Sequence, residues 1–285
     1  MITLRTVDQL RQQISSWRNE GQRIALVPTM GNLHIGHLKL VERARAVADR
    51  IVVSIFVNPL QFGQGEDFDS YPRTLNEDRR KLEEYDADLL FFPSVDEVYR
   101  RPQSEQTIVE VPGLSATLCG ETRPVHFAGV ATVVCKLFNM VQPDIAIFGE
   151  KDFQQLMVIR RMVEDLQIPV EIEGMETVRE MDGLAMSSRN GYLTAEERKQ
   201  APAVHRVLTQ TAEKLLAGER DFVSLEKMAC SELESAGLRP DYFQIRKAHD
   251  LQPPGAEERE LVILVAAYLG GARLIDNETV AVPFL

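Results

Sequence analysis

Cysteine and long hydrophobic runs are both scarce in this 285-residue chain. Its three cysteines, Cys119, Cys135 and Cys230, are widely spaced without a CxxC pair, which argues against a disulfide framework and a cysteine-based zinc site. The longest apolar run, LVILVAAYL at 261–269, is too short to span a bilayer. The opening segment MITLRTVDQLRQQ lacks the apolar core of a secretory signal. We therefore expect a cytoplasmic protein with reduced thiols and no membrane partner.

Positive charge is also in short supply, because 32 lysines and arginines face 43 aspartates and glutamates, for a formal net charge of −11. A large nucleic-acid-binding surface normally carries a basic patch, so this balance argues against nucleic acid as a partner. It does not exclude a small anionic substrate, since a few local cations can create a positive pocket. The 44% hydrophobic and 26% charged residues are typical of a globular protein rather than a disordered one.

Short, β-branched apolar runs alternate with helical segments over roughly the first 175 residues. The predicted strands are RIALV (23–27), IVVSIFV (51–57), ADLLFF (87–92), TIVEV (107–111), DIAIF (144–148) and VEIE (170–173). The predicted helices are an opening one with Val7, Leu10, Ile14 and Trp17 at helical spacing, then 36–48, 74–85, 129–141 and 152–166. Strands that are apolar on both faces and separated by helices indicate an α/β fold with a doubly wound, Rossmann-like parallel sheet.

The alternation stops after about residue 175, where the glycine-containing loop MDGLAMSSRNGYL begins a different pattern. Two helical stretches at 194–217 and 223–236 are followed by strands at 242–247, 261–268 and 272–276. We therefore predict two domains. Residues 1–176 form the Rossmann-like domain, and residues 177–285 form a smaller α+β domain that acts as a lid.

Four unusual stretches follow predicted strands or lie at the predicted domain junction: PTMGNLHIGH, NPLQFG, FGEKDFQQ and MSSRNG. In an open parallel sheet, ligands bind beyond the carboxyl ends of the strands. The convergence of these four stretches predicts one shared active site, although each of them alone would also suit an ordinary polar turn or helix start.

The first of these stretches places two of the five histidines one helical turn apart. Gly31 permits a tight turn, and Gly36 permits close approach of a ligand at the start of a helix, where free N–H groups favour a phosphate. His34 and His37 are spaced so that both can face one bound group. Taken alone, the pair is equally consistent with capping or core histidines, and a zinc site lacks further ligands.

Longer sequence motifs help to decide between a ligand-binding pair and a pair of capping or core histidines. HIGH at 34–37 resembles the signature of class I aminoacyl-tRNA synthetases and related nucleotidylyltransferases, and MSSR at 186–189 resembles a shortened form of their KMSKS-type signature. PTMGNLHIGH, VSIFVNPLQFG, YPRT, QPDIAIFGEKDFQQL, DGLAMSSRNGYL and the closing ARLIDN at 272–277 follow in an order that resembles the pantoate–β-alanine ligase family. The resemblance covers essentially the whole chain.

The resemblance implies an ATP-dependent ligase that joins pantoate to β-alanine through a pantoyl adenylate and releases AMP and pyrophosphate. It implies that His37, His34 and Lys151 are catalytic, with His37 as proton donor or transition-state stabiliser. The residues implied to bind ATP are Met30, Gly31, Asn32, Leu33, His34, Ile35, Gly36, His37, Gly149, Glu150, Lys151, Asp152, Val178, Met186, Ser187, Ser188 and Arg189. It also suggests a homodimer formed through the N-terminal domain.

The family pattern assigns Gln61 and Gln155 to pantoate. Amides orient a nucleophilic carboxylate at lower cost than a bidentate arginine would. The loop 61–72 is expected to be mobile and to cover this site, although an ordinary surface loop is nearly as consistent. Asp78, with Glu77 beside it, is a candidate ligand for Mg²⁺.

TRPVHFAG resembles a family segment, RPGHF, but Val125 replaces its glycine. This difference leaves the roles of Arg123 and His126 open.

Two other functions compete with this interpretation. A different nucleotidylyltransferase with the HIGH motif should carry more basic residues near the histidines, where this chain has glutamines. A non-catalytic nucleotide-binding protein would tend to lose the histidines, the lysine and the serines together, and all of them are present.

Overall fold

The structure, a computed structural model, describes residues 1–63, 65–66 and 68–283. The chain divides into two compact units, one formed by Met1–Glu150 with Gln155–Glu176, the other by Lys151–Gln154 with Thr177–Leu285. The second unit thus includes four residues, Lys151–Gln154, that the sequence-based boundary at residue 176 places in the first domain.

A parallel sheet forms the centre of the first unit. Its strands are β1 (Ile2–Leu4), β2 (Ile24–Thr29), β3 (Arg50–Ile55), β4 (Leu89–Phe91), β5 (Ile145–Gly149) and β6 (Glu171–Met175). They lie in the order β1-β4-β3-β2-β5-β6, and every neighbouring pair is parallel. The predicted doubly wound α/β sheet is confirmed.

Helices connect these strands. They are α1 (Val7–Asn19), α2 (Ile35–Val47), α3 (Leu75–Glu84), α4 (Val95–Val98), α5 (Cys119–Thr122), α6 (His126–Val141) and α7 (Phe153–Asp165). Short 3₁₀ turns occur at Pro59–Gln61, Gln103–Glu105, Leu114–Ala116 and Glu150–Asp152.

Both faces of the sheet are buried along the four central strands, β2 to β5, which explains their continuous apolar runs. On one face, Val27, Val53 and Ile147 belong to a core that also includes side chains of α2 and α3. On the other, Leu26 and Val52 are fully buried, and α6 packs against β2.

The predicted strand at 107–111 is wrong. Ile108 is 49% exposed, and the N–H of Val109 donates to Oγ1 of Thr132 in α6 (2.9 Å) instead of to a neighbouring strand. The segment is therefore an extended loop along α6, anchored by the buried side chain of Val111. Conversely, β1 pairs with β4 although three residues are too short for a strand pattern to be recognised in the sequence.

The second unit combines helices with an antiparallel sheet in the order β7-β8-β9. Its elements are a 3₁₀ helix at Ser188–Tyr192, α8 (Ala195–Gln200), α9 (Ala203–Leu216), α10 (Phe222–Ser235), β7 (Arg239–Lys247), β8 (Glu260–Leu269) and β9 (Ala272–Ala281). The smaller α+β fold predicted here is confirmed. The helical stretch predicted at 194–217 is two helices, because Pro202 has no N–H to continue the backbone ladder.

Among the described residues, no helix is both long and apolar enough to cross a membrane.

Candidate active site

The strand order of the parallel sheet reverses beside β2. The chain leaves β2 toward β3 on one side, and β5 lies on the other side, so the loops that follow β2 and β5 diverge. Ligands of doubly wound sheets bind outside the carboxyl ends of strands at such a reversal. The HIGH segment follows β2 and Gly149–Glu150 ends β5, so both predicted ATP segments of the first unit start at this point.

A tight turn connects β2 to α2. Gly31 has φ +84°, and a Cβ there would lie 3.1 Å from Cγ2 of Ile55 and 3.2 Å from Oδ2 of Asp78. Asn32 follows with φ +49°. Two successive residues in the left-handed region reverse the chain within a few ångströms, and glycine is needed at the first because a side chain would be both strained and crowded.

Asp78 holds this turn in place. Its carboxylate is 1% exposed and accepts hydrogen bonds from the N–H groups of Asn32 (Oδ2, 2.9 Å) and Leu33 (Oδ1, 2.7 Å), and from Oγ1 of Thr74 (Oδ2, 3.1 Å). Lys81 of the same helix donates to the carbonyl of Leu33 (2.7 Å). These bonds give Asp78 the role of an anchor for the turn, so this carboxylate does not fit a Mg²⁺ ligand that would need an oxygen directed at the ion.

His34 and His37 both use Nδ1 to cap α2. Nδ1 of His34 accepts from the N–H of Gly36 (3.1 Å), and Nδ1 of His37 accepts from the N–H of His34 (3.4 Å), a reciprocal capping box. The ring centroids are 4.1 Å apart. A nitrogen that accepts must keep its lone pair, so each neutral ring carries its proton on Nε2. Capping and catalysis are therefore compatible, because they use different ring nitrogens.

Gly149 and Glu150 lie at the end of β5. A Cβ on Gly149 would meet nothing within 4 Å, whereas a Cβ on Gly174 of β6 would lie 2.7 Å from Oε1 of Glu150. The Glu150 side chain therefore packs over the backbone of β6, and the space beside Gly149 stays open for a ligand to approach the strand end.

Gln61 belongs to a buried polar network that the sequence did not reveal. Its Oε1 accepts from Nδ2 of Asn58 (3.1 Å), and its Nε2 donates one hydrogen to Sδ of Met30 (3.0 Å). Asn58, 1% exposed, also donates to the carbonyl of Gly129 (3.0 Å) and accepts from the hydroxyl of Tyr99 (2.7 Å). With Oε1 committed to Asn58, the part of Gln61 that can serve a ligand is its NH₂ group.

Tyr99 keeps this network oriented. It is 4% exposed, and burial raises the pKa of its phenol well above the ordinary value, so the hydroxyl remains a donor to Asn58 at any physiological pH. Asn58 stands directly before a proline after a predicted strand, a signal that could have identified it. Tyr99 is an isolated aromatic residue, and no sequence pattern marks it as functional.

The loop that follows Gln61 is held by the segment whose role the sequence left open. Arg123 forms a two-pronged ion pair with Glu66 (2.7 and 2.6 Å), and Nδ1 of His126 donates to the carbonyl of Gln61 (2.9 Å). Arg123 and His126 thus hold two described residues of the loop, Glu66 and Gln61. Residues 64 and 67 of that loop lie outside the described part of the chain, and its mobility and covering role stay predictions.

Gln155, the second glutamine expected to bind pantoate, lies in the first turn of α7 and is partly buried. It belongs to the first unit, whereas the preceding Lys151–Gln154 belong to the second.

In the second unit, Lys151 is largely buried, with 18% of its side chain exposed. Its Nζ lies 3.9 Å from Oδ2 of the more exposed Asp152. The carbonyl of Lys151 accepts a hydrogen bond from Nδ2 of Asn277 in β9 (3.0 Å).

The remaining predicted ATP residues lie on and after a hairpin of the second unit. The N–H of Met186 donates to the carbonyl of Val178 (2.9 Å), and Arg179 pairs with Ala185 in an antiparallel bridge. Ser187 then caps the 3₁₀ helix that contains Ser188 and Arg189, because its Oγ accepts from the N–H of Arg189 (3.2 Å). The hairpin thereby places Val178 beside Met186 at one end.

No group of three or more histidine, cysteine, aspartate or glutamate side chains among the described residues is placed to hold a metal ion.

Comparisons with known proteins identify the family of this chain. The model of the pantoate–β-alanine ligase family matches residues 2–279. A pantothenate synthetase from Pseudomonas fluorescens (strain Pf0-1) is 59% identical over 277 residues, which is 97% of each chain.

Two crystal structures show the same fold. Pantothenate synthetase from Thermus thermophilus is 47% identical, with a TM-score of 0.89 over 99% of this chain and 100% of that one. A pantoate–β-alanine ligase from Francisella tularensis complexed with β-γ ATP and β-alanine is 33% identical, with a TM-score of 0.83 over 98% of this chain and 97% of that one. The family match over nearly the whole length, together with the turn, the histidine pair and the glutamine network, leads to one conclusion: this chain belongs to the pantoate–β-alanine ligase family.

Proposed function

We propose that this chain condenses (R)-pantoate with β-alanine to pantothenate at the expense of ATP. A carboxylate oxygen of pantoate attacks the α-phosphorus of ATP, and the bond to pyrophosphate breaks. The amine of β-alanine then attacks the acyl carbon of the pantoyl adenylate, AMP leaves, and the amine loses a proton. The observation that carries this proposal is the histidine pair at the strand reversal, whose rings are committed through Nδ1 and carry their protons on Nε2.

His34 and His37 supply donors for the first step. Attack on phosphorus builds negative charge on the phosphate oxygens and on the leaving pyrophosphate, and preorganised donors stabilise such charge best. The two capping bonds fix the rings, so the Nε2–H groups need no reorganisation during the reaction. We assign His37 as the proton donor or transition-state stabiliser and His34 as its partner on the phosphates, which is the role of the HIGH motif in this chain.

The nucleotide is bound by the backbone of 30–37, by Gly149 and Glu150 at the end of β5, and by residues of the second unit. There, Lys151 supplies positive charge toward the phosphates, with Asp152 beside it. The hairpin ends Val178 and Met186 provide an apolar wall for adenine. Ser187, Ser188 and Arg189 suit a triphosphate, because hydroxyls, backbone N–H groups and a guanidinium all donate.

Pantoate is oriented by amides. Asn58 holds Oε1 of Gln61, so the NH₂ group of Gln61 donates to an oxygen of pantoate and lies near the site of β-alanine. Gln155 is the second amide. Neither side chain carries a charge that would stabilise the pantoate carboxylate in its ground state. The barrier to attack by the carboxylate is therefore not raised.

Mg²⁺ is the cation we expect to accompany ATP. Since Asp78 does not fit it, phosphate oxygens and water are its expected ligands, and no step above depends on it.

We further propose a cytoplasmic location and a homodimer formed through the first unit. The three cysteines are free thiols, as a reducing compartment requires. Cell fractionation and light scattering on the purified protein test these two proposals.

Exchange of labelled pyrophosphate into ATP tests the proposed reaction. Exchange should require pantoate and should not respond to amino acids or phosphopantetheine, and pantothenate should form once β-alanine is added. Exchange supported by a phosphate-bearing acceptor would identify another nucleotidylyltransferase. A folded protein that binds ATP without any exchange would identify a non-catalytic nucleotide-binding protein.

A further inference from the structure

The closing motif ARLIDN has no role in the reaction as proposed above, yet it places two adjacent buried polar residues in a strand. Asp276 and Asn277 of β9 are 3% and 6% exposed. Successive side chains of a strand point to opposite faces, so the two residues reach different neighbours. Buried polar side chains are costly unless they are hydrogen-bonded, which makes their partners informative.

Asp276 holds the hairpin that carries Val178 and Met186. Its carboxylate accepts from both terminal nitrogens of Arg179 (2.6 and 3.1 Å), and Arg179 also donates to the carbonyl of Gly183 at the turn of the hairpin (3.1 Å). One guanidinium thus links the strand, the hairpin turn and the residue next to Val178. The paired geometry fixes both position and orientation.

Asn277 holds the backbone of Lys151. Its Nδ2 donates to the carbonyl of Lys151 (3.0 Å), and its own N–H donates to Oδ1 of Asp276 (2.9 Å). The same short stretch of β9 therefore anchors the candidate catalytic lysine on one side and the candidate nucleotide hairpin on the other. All of these residues belong to the second unit.

We propose that Asp276 and Asn277 are positioning residues for adenylation, with Asn277 setting the place of Lys151 and Asp276 setting the place of the 178–186 hairpin. The inference rests on the proposed function, because it takes Lys151 and the hairpin as parts of the ATP site. Neither residue needs to touch the substrates. Their effect passes through the backbone of the residues that do.

The two half-reactions separate this role from a merely structural one. Asn277→Leu removes the donor and keeps the side chain's approximate size. Adenylation of pantoate, measured in a single turnover, should slow about tenfold or more, as expected when a catalytic group is misplaced. The second half-reaction is the aminolysis of supplied pantoyl adenylate by β-alanine, in which no pyrophosphate leaves. Its rate should stay within about twofold of the wild-type rate.

Thr279→Ala is the matched control, since Thr279 is exposed two residues further along the same face of β9. It should leave both half-reactions unchanged. Asn277→Asp, which preserves the shape and exchanges the donor for an acceptor, serves as a second variant and should show the same split if Asn277→Leu does not fold.

Asp276→Asn tests the other half of the proposal. The KM for ATP should rise about tenfold while the KM for pantoate changes less than about twofold, because the amide keeps an oxygen for the N–H of Asn277 and loses only the charged pair with Arg179. The thermal midpoint of each variant shows that it is folded at the assay temperature.

The positioning role is overturned if the folded Asn277 variants adenylate pantoate at the wild-type rate, or if they slow both half-reactions equally. It is also overturned for Asp276 if the KM values for ATP and pantoate rise together. A wild-type protein that shows no pantoate-dependent exchange would instead overturn the proposed function, so the two failures are distinguishable.

Discussion

Asp78 and Asn58 are polar side chains that are each 1% exposed, and the partners that the fold gives them decide what they do. A carboxylate beside a predicted phosphate site suggests a metal ligand when only the sequence is known. With three donors on it, the Asp78 carboxylate instead fixes the backbone from which the HIGH helix starts. Asn58 fixes Gln61 in the same way. At this scale, the reactive residues depend on neighbours that do no chemistry.

Replacement of Asp78 distinguishes an anchor from a magnesium ligand. Asp78→Asn puts an NH₂ group against backbone N–H donors, so the free energy of unfolding should fall by about 2–3 kcal/mol. The Mg²⁺ concentration that half-saturates pyrophosphate exchange should not change. Urea unfolding and a Mg²⁺ titration check the two expectations, with the exposed Glu84→Gln of the same helix as control. A raised Mg²⁺ requirement with unchanged stability would restore Asp78 as a metal ligand.

At the scale of elements, the hairpin at 178–186 depends on the backbone of one glycine. Gly183 has φ +90°, and a Cβ there would lie 2.4 Å from Cδ2 of His205. Gly183→Ala should therefore lower the free energy of unfolding by about 1–3 kcal/mol through strain and crowding together. Chemical denaturation measures the loss.

Gly191 provides the matched control for this substitution. It lies a few residues beyond the hairpin, has no positive φ, and a Cβ there meets nothing within 4 Å. Gly191→Ala should be neutral or slightly stabilising. If both variants lost the same free energy of unfolding, strain at Gly183 would not be the cause of the loss.

The loop 61–72 is fastened by an ion pair that depends on pH. Burial alone would raise the pKa of Glu66, but the hydrogen bonds and charge of Arg123, together with the N–H of Gly63, lower it below its ordinary value of 4.5. The pair therefore stabilises the fold fully above pH 4.5, and this contribution is lost as the pH falls through the lower folded-state pKa.

Glu66→Gln should cost about 1–3 kcal/mol of unfolding free energy at pH 7 and progressively less below pH 4.5, where the wild-type carboxyl itself becomes neutral. Denaturant titrations across this range measure the difference, and the exposed Glu121→Gln serves as control. A difference that is the same at pH 7 and pH 3 would contradict the assignment.

Elements with their own local signal were predictable from the sequence, and elements that depend on distant partners were not. β2, β3, β5 and most helices follow directly from apolar period and length. β1 exists because β4 pairs with it, and 107–111 is not a strand because a threonine of α6 takes one of its N–H groups. The two histidines have a recognisable spacing, and the two glutamines were identified only through the family resemblance. Tyr99 acts through its hydrogen bond to Asn58, which no local sequence pattern predicts.

At the scale of the whole molecule, the first unit offers a direct test of nucleotide binding. Trp17 is the only tryptophan in the sequence; it is 5% exposed in α1, so its fluorescence reports unfolding of that unit. A non-hydrolysable ATP analogue at one hundred times its Kd should add about 2.7 kcal/mol of stability. For a chain of this size, that is a rise of roughly 5 °C in the Trp17 melting midpoint.

The ligand-induced rise should depend on the histidine pair. His37→Ala should reduce it, because the helix start loses a donor to the phosphates, whereas the exposed Lys39→Ala two residues further along α2 should keep it. The melting midpoint of each variant is compared with and without the analogue. The stability lost with the capping bond of His37 is then the same in both measurements. If His37→Ala keeps the full rise, nucleotide binding does not depend on the HIGH segment, and the histidines act only after the phosphates are bound.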